Sequence, residues 1–223
     1  MNKMSTKVSN PISEIFKYLA ISILFMFIGF AIGMKFVPEY IAGLANIIVI
    51  ILVIVMLVLS LISRKGKLPG SFSMNFVYLF TFIDGIAFYP ILNMYIQDLG
   101  PTIVINILVS TIALFGILAF ISSKKPAGHY LNLGLTLLIS LFILFILTII
   151  NIFIGSQTIS ILLSIVGVII FSGYVLFDIS LIKHKENLGQ LKEKNQLSIH
   201  VLNLYLDFIN IFLDLLNIAD NFR

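Results

Sequence analysis

About seven stretches of roughly 20 mostly apolar residues follow one another along this chain: Ile15–Met34, Ala42–Ile62, Asn75–Tyr95, Thr102–Ile121, Leu131–Ile154, Ile159–Ile182 and Leu197–Ile218. Each is long enough to cross the hydrocarbon core of a bilayer as a helix. In lipid a helix satisfies its own backbone hydrogen bonds, which an isolated strand cannot do. The expected fold class is therefore an all-α membrane protein, with residues 1–223 forming a single polytopic transmembrane domain. The breaks between runs are short and carry turn residues, as in "RKGKLPGS", "DLGPT", "SKKPAGH" and "GSQT". Composition agrees, because only 11% of residues are charged, where soluble domains run near a quarter. The mean hydropathy is +1.12. The first run is longer than a signal-peptide core and lacks a small-residue cleavage site, so it is expected to be retained as a span.

The loops set the expected orientation. Lys3, Lys7 and Lys17 lie at the N-terminus, "RKGK" and "SKKP" follow alternate runs, and "KHKENLGQLKEK" precedes the last. The intervening loops hold Lys35 with Glu39, then Asp98, then no charge. The positive-inside rule places the N-terminus and the basic loops in the cytoplasm. Seven true spans then leave the C-terminus outside, whereas a re-entrant final segment would return it to the inside. The formal charge of +4 is a topology signal of these loops and implies no nucleic-acid partner. The absence of cysteine excludes disulfides, iron–sulfur clusters and thiol chemistry. Three scattered histidines, His129, His184 and His200, make no zinc site, and no cofactor is expected. The compact chain fits a bacterial inner membrane.

The last run carries a polar seam. In "HVLNLYLDFINIFLDLLNIAD", His200, Asn203, Asp207, Asn210, Asp214 and Asn217 recur at alternating steps of three and four. At 3.6 residues per turn they stack on one face of a helix. Amides alone are explained by helix packing, where hydrogen bonds are worth about 0.6 kcal/mol on average. A carboxylate at membrane depth costs roughly 3 kcal/mol on insertion scales. Two of them on one seam therefore point to a path for a cation or proton, whose lost water ligands the oxygens replace.

Asp178 lies in "SGYVLFDISLIKHK", near the cytoplasmic end of the sixth run. Ser160, Ser164, Gly167, Phe171, Tyr174 and Asp178 form a second stripe, with its small residues at the outer end. Small residues let helices approach closely in a membrane, so this stripe is expected to face the seventh run. Asp178 and Asp207 would then meet, provided that the sixth helix extends past Ile182 or the seventh starts early. Two carboxylates in contact cannot both ionise cheaply in low dielectric; they share a proton and titrate as a pair. Arg64 ends the second run on the same side, and its guanidinium is a candidate cationic latch; the plainer reading is a topology marker. Asp84, beside the helix-loosening Gly85 in "FTFIDGIAFYP", is either a further pathway residue or a neutral acid bonded to backbone.

"SGYVLFDISLIKH" followed by "HVLNLYLDFINIFLDLL" resembles the paired signature of the Bax inhibitor-1 family, and "FVYLFTFIDGIAFYPIL" resembles the third-span region of its bacterial members. The resemblance implies seven helices, six of them surrounding a central C-terminal one. It implies a pH-sensitive calcium leak channel with Asp178 and Asp207 as the di-aspartyl sensor and Arg64 as its latch. Asp214 and Asp84 depart from the family motif and make a more acidic pathway. Calcium is then the transported ion, held transiently by Asp207 and Asp214, with Asn203 and Asn210 along the same path. The partners are membrane lipid, calcium ions and protons.

Three other readings compete. Intramembrane aspartyl proteases also use two Asp on adjacent spans, but they carry Tyr-Asp, Gly-x-Gly-Asp and Pro-Ala-Leu motifs, and here the acids sit in "LFD" and "YLD"; no enzymatic activity is expected. A regulatory protein that binds a membrane-protein partner is a second alternative. A cation/proton exchanger is a third, because a shared proton suits exchange as well as leak.

Overall fold

The computed structural model describes residues 10–38, 40–41 and 72–222. Six long helices occur among them: α1 (Pro11–Phe36), α2 (Met74–Leu99), α3 (Pro101–Lys124), α4 (Leu133–Ile154), α5 (Gln157–Asn187) and α6 (Lys194–Asn221). All six are long and apolar enough to cross a membrane, and no strand occurs among the described residues. The run Ala42–Ile62 lies outside the described residues.

Local chemistry sets the helix ends. Asn10 caps α1, its Oδ1 accepting from the Ser13 amide at 3.1 Å, with Pro11 opening the first turn. A single residue, Gly100 with φ 84°, joins α2 to Pro101 of α3, a left-handed conformation that glycine adopts without penalty. Ser156 caps α5 by accepting from the Ile159 amide. Helix α2 runs unbroken through Gly85 and Pro90.

Except for α4, which ends with its run at Ile154, the helices end beyond the apolar runs that announce them. Helix α5 passes Ile182 and reaches Asn187, and α6 begins at Lys194, so residues 188–193 are the whole connection. Gln196 folds back over it, its Oε1 accepting from the amides of Lys192 and Glu193 at 2.7 and 3.0 Å.

The chain divides into two compact units, Met1–Met94 with Gly189–Leu202, and Tyr95–Leu188 with Asn203–Arg223. In the first, α1 and α2 run in the same direction. Phe25 stacks on Tyr78 with ring centroids 5.2 Å apart, Gly29 meets Phe82, and Gly33 meets Tyr89. The Tyr89 hydroxyl closes the far end by donating to the Val37 carbonyl at 2.6 Å. Parallel packing of these two helices is what the alternation of basic loops predicts.

In the second unit α5 packs against both α3 and α4. Leu137, Ile170 and Phe177 form a core there, with Leu141, Leu144 and Tyr174 against it. Ser122 of α3 donates to the Leu176 carbonyl of α5 at 2.8 Å, and Lys183 of α5 donates to the carbonyls of Ser123 and Lys125. That ammonium sits where the α3 dipole is negative and its last carbonyls lack helical partners. Burial separates the helices sharply: 61% of the apolar window of α6 is buried, against 6% for α4. Leu135, Phe142, Ile152 and Phe153 accordingly project from α4 as lipid-facing side chains do.

Candidate functional site

The two polar stripes meet. Helices α5 and α6 run antiparallel, and Gly167 and Asp214 stand equally far from the short connection between them. A Cβ built on Gly167 would lie 2.9 Å from the Asp214 carboxyl carbon, so the carboxylate rests directly on the bare α5 backbone. One turn further out, Asn217 Nδ2 donates to Ser160 Oγ at 2.9 Å and to Ser164 Oγ at 2.8 Å. Ser164 in turn hydrogen-bonds Asp214. Asn221 Nδ2 donates to Asn217 Oδ1 at 3.0 Å. The result is a directed chain of donors, Asn221 to Asn217 to Ser164, ending on a carboxylate.

Toward the connection, Asp178 and Asp207 come together as the stripes predict. Each is buried, at 3% and 6% exposure, and the two carboxyls are close enough to act on each other electrostatically. Helix α5 extends past Ile182 to Asn187, the condition that the sequence set for their meeting. Oδ2 of Asp207 is buried and receives no hydrogen bond among the described residues. Phe208, next to Asp207, meets Phe115 of α3 edge-on with centroids 5.9 Å apart. Both carboxyls are buried, where a lone charge is costly.

The other sequence candidates separate into groups. Asn203 and Asn210 lie half-buried on α6, and Asn210 Nδ2 donates to the Leu206 carbonyl of its own helix at 2.7 Å. Asp84 is buried at 2% exposure in α2, in the other unit. Gly85 beside it admits α1 closely and does not loosen α2: a Cβ there would lie 2.8 Å from the Met26 carbonyl carbon. Arg64 lies outside the described residues. Asp207 and Asp214 stand two turns apart on α6, about 10 Å along its axis, so they are successive points and not one centre. Among the described residues no group of three or more His, Cys, Asp or Glu side chains is placed to hold a metal ion.

Two participants were not evident from the runs. Tyr95 of α2 and Asp220 of α6 approach the outer end of the seam, with the Tyr95 hydroxyl within electrostatic reach of both Asp220 and Asp214. Asp220 continues the seam's own spacing, three residues past Asn217.

Residues 8–223 match the family model described as "Inhibitor of apoptosis-promoting Bax1". The chain belongs to the Bax inhibitor family. An "Uncharacterized membrane protein" of Vibrio cholerae serotype O1 is 30% identical over 190 residues, 81% of this chain and 84% of the relative. A "Probable Bax inhibitor 1" of Paralichthys olivaceus is 32% identical over 130 residues, 58% of this chain and 53% of that protein. An "Uncharacterized protein" of Helicobacter pylori J99 is 28% identical over 149 residues, covering 60% of its own length. The chain thus spans only a little over half of the last two relatives. With six apolar helices among the described residues, it is a multi-pass membrane protein of the Bax inhibitor family.

Proposed function

We propose that this protein is a pH-sensitive, calcium-permeable leak channel of the cell (inner) membrane, with its N-terminus in the cytoplasm and the Asp178–Asp207 pair as the proton sensor. One observation carries the reading: two buried carboxyls on apposed helices act on each other, and one buried oxygen of Asp207 is left without a hydrogen-bond donor among the described residues. While the pair shares a proton, α5 and α6 stay together. When the proton leaves, like-charge repulsion and cation affinity rise together, and the seam opens at its cytoplasmic end. Flux therefore rises as pH rises through the titration of the pair. Arg64 is assigned as the latch on this pair. The seam supplies oxygens in series, Asp207, Asn210 and Asp214, which suits an ion that passes through better than one that stays. Calcium is cargo here, and the reading needs neither a resident cofactor nor an enzymatic step. It places α6 inside the other helices, an arrangement that the burial of α6 supports.

The test is calcium entry into liposomes that hold the purified protein and a calcium dye, with external pH stepped across neutrality. Wild type is expected to admit calcium in a pH-dependent way and Asp207→Asn to lose that dependence. An Asp207→Asn protein whose flux titrates like wild type would remove the pair from the mechanism. Exchange is separated from leak in the same liposomes, since only an exchanger accumulates calcium against its gradient when a proton gradient is imposed. A second reading, a membrane regulator that binds another membrane protein, is favoured by the description of the family as an inhibitor of Bax1 and by the name of the Paralichthys relative. It gains if no pH or calcium gradient drives flux.

A further inference from the structure

The outer half of the α5–α6 seam has no part in the proton sensor, yet its polar side chains are joined to one another. Four side chains there form one hydrogen-bonded line, Asn221 to Asn217 to Ser164 to Asp214, with Ser160 as a second acceptor for Asn217. Three of these links lie between helices, so they hold α5 to α6 directly. The line ends where Asp214 lies on Gly167. Any side chain at 167 would displace it, because a Cβ would come within 3.2 Å of Oδ1 and 2.9 Å of Cγ. Donors all pointing one way toward a carboxylate reinforce one another in a medium of low dielectric. A cation following the seam cannot pass while these oxygens and amides are committed to each other.

We infer that this zipper is a second gate, in series with the Asp178–Asp207 pair, and that Gly167 is the positioning residue that allows it to close. The inference rests on the leak reading and adds to it: the sensor determines when the inner end opens, and the Gly167–Asp214 contact determines whether the outer end does. Closure depends on fit more than on charge. An asparagine at 214 keeps the shape and can still accept from Ser164, so Asp214→Asn closes normally. Gly167→Ala does not, although alanine is the better helix former, and its effect cannot therefore come from a weakened α5.

The experiment uses calcium flux in liposomes together with a cross-link. Since the chain has no cysteine, Ser160→Cys with Asn217→Cys gives one thiol pair across the zipper, which a short reducible bis-thiol reagent can bridge. The bridged protein is expected to stop conducting at every pH and to recover on reduction. Gly167→Ala is expected to raise the resting flux roughly tenfold, the population shift that overpacking by one methyl group produces, with the pH response kept. The retained pH response shows that Gly167→Ala has not merely misfolded the chain, and a Gly167→Ala protein with wild-type resting flux overturns the positioning role. Bridged protein that conducts like unbridged protein overturns the outer gate and leaves the sensor standing. Wild-type liposomes without flux at any pH overturn both.

Discussion

Asp178 and Asp207 occupy buried positions where a lone carboxylate is expensive, and in the proposed mechanism a shared proton reduces that cost. An isolated ionised carboxylate moved into an apolar interior is penalised far beyond any single hydrogen bond. A pair that shares one proton carries one charge across two groups. Changing either Asp to Asn should therefore leave the protein folded, because an amide costs less to bury than a charge, while removing the titration. Asp214 differs, since its carboxylate lies on Gly167 and accepts from Ser164. Asp214→Asn is expected to weaken calcium competition for the path and to leave the pH response unchanged, as read from flux at graded calcium. Unaltered calcium dependence would take Asp214 off the path. The spacing of three and four along α6 made Asp207 and Asp214 legible in the sequence, and the matching stripe on α5 did so for Asp178, since periodicity reports which residues share a face. It does not report which residue of another run meets them. The links from Asn217 to Ser160 and Ser164, and the approach of Tyr95, are tertiary facts that no single run encodes.

At the scale of helices, close approach is arranged by glycine, and the positions differ in what surrounds them. A Cβ on Gly85 would stand 2.8 Å from the Met26 carbonyl carbon, and one on Gly29 would stand 3.0 Å from that of Phe82. Backbone cannot yield as a side chain can. Gly85→Ala is expected to destabilise the α1–α2 pair by roughly 1–3 kcal/mol in a detergent unfolding experiment. Gly116, inside α3, has nothing within 4 Å of a built Cβ. Gly116→Ala should accordingly be neutral or stabilising by up to about 1 kcal/mol, since alanine is favoured over glycine in a helix. Equal losses at the two positions would mean that helix propensity, and not contact, decides. The sequence predicted each described helix within a few residues. It fell short mostly at the polar ends, because hydropathy marks where the lipid stops and not where the helix stops. Lys183–Asn187 continue α5 past its apolar run. A stretch that reads as a long loop between Asp178 and Asp207 is in fact two helix ends and a short connection, and this is why the pair can meet.

For the whole molecule, charge and burial carry the argument. Alternating basic loops predict parallel α1 and α2, and their contacts are parallel. The burial of α6 against the exposure of α4 distinguishes a helix packed by protein from one packed by lipid. The sequence could indicate this only through the polar seam, since both helices are apolar overall. Selective thiol labelling of single cysteines placed in the loops tests the orientation: "SKKPAGH" should label from the cytoplasmic side, and Asp98 of the α2–α3 junction from the other. The reverse pattern would invert the path and put the sensor at its outer end. The central claim is that proton occupancy of two carboxyls governs calcium flow, and its most direct measurement is the full pH titration of calcium flux in liposomes for wild type, Asp178→Asn and Asp207→Asn. A wild-type flux that rises with pH, with the titration lost in both variants, is the result this account predicts. A titration that survives in both variants with the same midpoint would contradict it.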